Sequence, residues 1–134
     1  MGSPQATNGA VVFTSGNAAV TPKAGAAAVG AINAAIEALA KAFAERGIVD
    51  GVQVNSVSPG AVMTGPRMAM LEKAAASTNV GIEEAKLGFL KQAGIGRFGE
   101  PEEIADLLAF VVSPSARWLT GTVLRMDGGE VKSV

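Results

Sequence analysis

Few side chains in this 134-residue chain can move a proton or attack a substrate, because it contains no tyrosine, histidine or cysteine. Those absences exclude a phenolic proton donor, Ser-His-Asp hydrolysis, imidazole acid/base work and thiolate chemistry. They also exclude disulfides and metal sites built on His or Cys, and no metal is expected. Hydroxyls, carboxylates and lysines are left. Ser15 closes an apolar run, but a lone serine has no evident base, so hydrolysis ranks last among the activities considered. Among the carboxylates, Asp127, Glu37 and Glu72 read as solvent-facing or capping groups, and no two stand together for paired work.

Two glycine-bearing segments suggest ligand contact. In Asn55-Ser56-Val57-Ser58-Pro59-Gly60-Ala61-Val62-Met63-Thr64 a β-rich run breaks at Pro-Gly. Such a break at the carboxyl end of a parallel strand opens the crevice where α/β sheets bind ligands, and Gly60 lets another backbone approach. The run Gly94-x-Gly96-x-x-Gly99 matches a dinucleotide fingerprint formally. It follows a predicted helix instead of a strand, so it is rejected as a phosphate cradle.

The elements that must position these residues follow from periodicity and punctuation. Residues 10–14 (AVVFT) read as a fully buried strand ending at Ser15-Gly16-Asn17. Over 24–46, Ala28, Ile32, Ala35, Ile36, Leu39 and Phe43 recur at helical steps, with Gly47 as the expected C-cap. A strand over 52–57 and helices over 68–76 and 82–92 follow, with Ser77-Thr78-Asn79 as a loop and Gly94 as a stop. Pro101 opens a last helix with the apolar stripe Ile104, Leu107, Leu108 and Val111, which ends at Ser113-Pro114. A strand over 122–126 stops at Asp127-Gly128-Gly129. The alternation predicts an α/β fold: three parallel strands with helices on both faces, one unit over 1–134.

Lys and Arg number 11 against 12 Asp and Glu, so no field favours nucleic acid or anionic lipid. No apolar run is expected to reach the roughly 18 residues of a membrane span. The polar start Met1-Gly2-Ser3-Pro4 has no signal-peptide pattern, and a cytoplasmic location is the default expectation.

Three ordered segments carry a family likeness. The Asn55–Thr64 segment resembles the Asn-x-x-x-Pro-Gly-x-x-x-Thr stretch of short-chain dehydrogenases. Gly96-Arg97-Phe98-Gly99-Glu100-Pro101-Glu102-Glu103-Ile104-Ala105 is similar to that family's Arg-x-Gly-x-Pro-Glu-Glu-Ile-Ala helix start. Leu119-Thr120-Gly121 through Asp127-Gly128-Gly129 resembles its last strand. The resemblance implies the carboxyl-terminal half of a Rossmann-type domain, with NAD or NADP as cofactor and hydride transfer to or from a small carbonyl or alcohol.

It further implies that Pro59, Gly60, Val62 and Thr64 belong to the loop at the nicotinamide end, and that Ser15 orients the substrate. The family's Tyr-x-x-x-Lys falls on Val29 and Asn33. Valine has no proton to give and asparagine no charge to tune a phenol, so the chain alone is expected to be inactive and to bind NAD(P) weakly or not at all. A non-catalytic, self-associating module is the alternative. Its partner would be a second copy or a missing amino-terminal half, docked on the bare edge of the first strand and on the small-residue helix.

Overall fold

The structure, a computed structural model, describes residues 9–133; the polar leader lies outside them. Three strands, β1 (Ala10–Thr14), β2 (Gln53–Pro59) and β3 (Val123–Met126), form one parallel sheet in the order β1-β2-β3. The helices are α1 (Ala27–Asp50), α2 (Gly65–Thr78), α3 (Ile82–Ala93) and α4 (Pro101–Val111). The expected α/β class and parallel three-stranded sheet are what the chain forms.

β2 is the spine. Val54 through Ser58 are all buried, because the strand is paired on both edges and covered on both faces. Alternation sends Val54, Ser56 and Ser58 to one face and Asn55 and Val57 to the other. α1 packs on the first face, where Ala40, Ala44 and Val54 form a core with Phe13 and Val52 against it. That leaves α4, which packs against β1 and β2, to cover the second. Val57 and Val111 are wholly buried, each stabilising the fold by about 1.5–3 kcal/mol.

Several expectations need correction. β1 is only partly buried, with Val11 43% exposed, because it is an edge strand and no described strand pairs its outer side. α1 runs through Gly47 to a left-handed cap at Gly51. Gly47 is the point of closest approach: a Cβ there would collide with the Val52 carbonyl. The packing face of α1 is the small-residue line Gly30, Ala40, Ala44 and Gly47; Ile32 and Leu39 of the expected stripe face outward, while Phe43, half exposed, stacks on Phe13 of β1. Small side chains win because the helix lies close over the sheet. Ser77 and Thr78 belong to α2, their hydroxyls donating back to the Ala74 carbonyl, and Asn79 takes the left-handed cap.

The stretch Ala24–Asp50 is also long and apolar enough to cross a membrane by length and composition, contrary to expectation. Two of its charged residues, however, are engaged with the protein: Glu37 accepts from Ser15, and Lys41 donates to the Gly121 carbonyl.

Candidate functional site

β1 delivers Ser15 to the carboxyl end of the sheet, where its amide donates to the Val57 carbonyl at 2.9 Å and fixes the backbone. The half-buried Ser15 hydroxyl donates to Glu37 Oε1 at 2.6 Å. That length is typical of a charge-assisted O–H···O⁻ bond. Glu37 is therefore not the solvent-facing group the sequence suggested. It stands one helical turn beyond Asn33 and two beyond Val29, so all three share a face of α1. The spacing was available in the sequence; the register of α1 against Ser15 was not.

Asn33 reaches the same place. A Cβ on Gly16 would lie 3.1 Å from Asn33 Nδ2 and 3.9 Å from the Pro59 carbonyl, so the bare Gly16 lets α1 and the end of β2 close around Ser15. Val29 is 53% exposed and offers nothing but methyl groups. The fold thus brings together Ser15, Asn33, Glu37 and the end of β2.

The loop after β2 is engaged differently. Gly60 donates its amide to the Met126 carbonyl and lies against Asp127. Val62 bridges to Gly99 in a parallel pairing, with Met63 N donating to the Gly99 carbonyl at 2.8 Å. Thr64 Oγ1 accepts from Arg67 N at 3.2 Å and caps α2. Behind this loop lies an open cavity of about 370 Å³ with Val62, Gly99, Arg97, Glu103 and Asp127 on its walls. Ser15, Asn33 and Glu37 do not line it. In α2, Leu71 turns into the core, whereas Met70 is 44% exposed.

Gly94, Gly96 and Gly99 follow α3, with Gly94 as its left-handed cap, so the rejected fingerprint has no strand before it. Asp127 is a capping group, its oxygens accepting from the amides of Gly129 and Val131. Burial pushes its carboxyl up, but those two amides, Asn17 and the Arg125 charge outweigh it and leave it below the ordinary value. Asn17 was not singled out in the sequence. It is buried and its amide donates to both Asp127 and Glu130, tying the end of β1 to the end of β3.

A family model described as Enoyl-(Acyl carrier protein) reductase matches residues 3–130. The chain belongs to the short-chain dehydrogenase/reductase family. It is 33% identical over 130 residues to an uncharacterized oxidoreductase, YvaG, of Bacillus subtilis, covering 94% of this chain and 49% of that protein. Among solved structures, L-sorbose reductase of Gluconobacter frateurii, complexed with NADPH and L-sorbose, superposes with a TM-score of 0.89 at 25% identity. The match covers 97% of this chain and 50% of that one. A short-chain oxidoreductase of Pseudomonas aeruginosa described as containing an atypical catalytic center superposes with a TM-score of 0.81 at 27% identity. It is covered over 95% of this chain and 49% of its own. The chain spans about half the length of these relatives.

The Pro59–Thr64 loop opens at the carboxyl end of β2. Among the described residues, however, no strand runs through a glycine-rich turn into a helix to take the phosphates. A complete cofactor does not fit these residues alone.

Proposed function

We propose that residues 1–134 are one unit, the carboxyl-terminal half of an NAD(P)-dependent oxidoreductase domain, and that this chain by itself does not catalyse hydride transfer. The observation that carries the reading is the helix face beside Ser15. Where the family's proton donor and its lysine belong, the chain presents Val29 and Asn33, and no tyrosine stands elsewhere to replace them. The motif order, from the Pro59-Gly60 loop to Asp127-Gly128-Gly129, supports assignment to the carboxyl-terminal half. Ser15 is the substrate-orienting remnant, and Pro59, Gly60, Val62 and Thr64 are the remnant of the loop that held the nicotinamide of NAD or NADP. In the complete domain the substrate is a small carbonyl or alcohol compound.

Titration of the purified chain with NADPH and NADH, followed by fluorescence and calorimetry, tests this reading. Weak or absent binding is expected. Saturable micromolar binding of either nucleotide would show a complete cofactor site and overturn the assignment to a half.

A second reading, a non-catalytic module that pairs with another chain, is favoured by the open edge of β1 and the outward face of α1. Ile32 is 59% exposed and Phe43 is 49% exposed, and Val11, Phe13 and Phe43 line a groove beside that edge. An unpaired strand edge invites strand addition. Either a second copy or the amino-terminal half of such a domain would cover it. Sedimentation as a stable monomer, unchanged when the front half of a related enzyme is added, would remove this reading.

A further inference from the structure

Ser15 lacked a base in the sequence, and the fold provides one. Glu37, 22 residues away in the chain, accepts a hydrogen bond from the Ser15 hydroxyl at 2.6 Å in a half-buried position at the carboxyl end of the sheet. The contact joins the end of β1 to a helix that packs elsewhere through glycine and alanine, so it is a polar exception on a small-residue face. The Ser15 hydroxyl has one hydrogen to give, and Glu37 Oε1 at 2.6 Å is its nearer acceptor, the Val57 carbonyl standing 3.5 Å away. Asn33, the next polar group along the same face, reaches Gly16 beside it.

We propose that Ser15 and Glu37 form an acid–base dyad, in which the Glu37 carboxylate takes the serine proton and Ser15 Oγ exchanges a proton with a small alcohol or carbonyl compound. This rests on the reading that the substrate meets the chain at Ser15. When an alcohol is bound, its hydroxyl proton passes to Ser15 Oγ as the serine proton passes to Glu37 Oε1. In the reverse direction the carboxylic acid returns its proton to Oγ as Oγ protonates the substrate oxygen. Glu37 acts through Ser15. It does not touch the substrate.

The dyad is testable in this chain with no cofactor present, using a phosphonyl fluoride probe. Ser15 Oγ forms the bond to phosphorus, the P–F bond breaks with loss of fluoride, and the serine proton goes to Glu37 and then to water. Mass spectrometry should locate the adduct at Ser15, and Ser15→Ala should abolish it. Glu37→Gln keeps a hydrogen-bond acceptor of the same shape but removes the base. The labelling rate should therefore fall at least about tenfold, within the usual reach of general-base assistance. Glu37→Asp, which keeps the carboxylate, should label faster than the Gln variant. No adduct at Ser15 in the folded chain, or a Glu37→Gln rate less than about tenfold below wild type, would overturn the proposal. Nucleotide binding plays no part in this readout, so the dyad and the half-domain reading fail separately.

Discussion

Gly60 lies so close to Asp127 that a Cβ at position 60 would sit 2.5 Å from the Asp127 Cβ and 2.7 Å from its Cα. The bareness of this loop glycine is used by the Asp127-Gly128-Gly129 turn, which closes β3 against the end of β2. Replacement by alanine must push the two strand ends apart. Gly60→Ala is expected to lower stability by about 1–3 kcal/mol, as overpacking in a tight contact does. Urea unfolding with an unchanged midpoint would contradict the contact.

Helical glycines at positions 47 and 88 should respond in opposite directions. Nothing lies within 4 Å of a Cβ built on Gly88, in α3, whereas one on Gly47 would strike the Val52 carbonyl. Gly88→Ala should stabilise the fold by about 0.5–1 kcal/mol through backbone entropy. Gly47→Ala should destabilise it, because the helix would have to lift from β2. Thermal midpoints moving in the same direction would refute the assigned packing face of α1.

Element types were legible from hydrophobic spacing and from Pro-Gly punctuation, and the cap at Gly94 fell where it was expected. The facing of α1 was not legible. Apolar periodicity points to Ile32 and Leu39, which face outward, as well as to Phe43, which meets Phe13 at the sheet edge; the closest approach is made through glycine and alanine, whose value is closeness, and that is invisible to a hydropathy pattern. Ser15, Asn33 and the Pro59–Gly60 break could be placed in advance. The role of Glu37 could not, because it depends on which turn of α1 passes the end of β1. Asn17 gave no signal either, since its partners Asp127 and Glu130 lie more than 100 residues away.

Asn55 is a buried bracket between β2 and the segment leading into β3. Its amide donates to the Leu119 carbonyl at 2.9 Å, and its Oδ1 accepts from Thr122 N at 3.2 Å. Asn55→Ala leaves Thr122 N without its partner and the Leu119 carbonyl with Gln53 Nε2 at 3.0 Å, and is expected to cost about 1–3 kcal/mol. Denaturant titration showing less than about 0.5 kcal/mol would mean that Asn55 does not hold β3.

The ion pair at the mouth of the cavity predicts a pH response. Arg97 donates to both Glu103 oxygens, at 2.7 and 2.8 Å, and with the Glu100 amide holds the Glu103 carboxyl at about 2 against an ordinary 4.5. A depressed folded value means stabilisation that is complete above 4.5 and lost as the pH falls toward 2. Glu103→Gln should flatten the stability profile within that window and leave it unchanged near neutrality apart from a constant offset. An unaltered acid slope would rule out the pair as its source.

The central claim, a short-chain dehydrogenase half-domain without the family's tyrosine, is tested most directly by NADPH oxidation. The purified chain is mixed with NADPH and a simple ketone, and absorbance at the nicotinamide band is followed. No turnover above the protein-free rate is predicted. Rapid, enzyme-proportional oxidation, abolished in Ser15→Ala, would contradict the account.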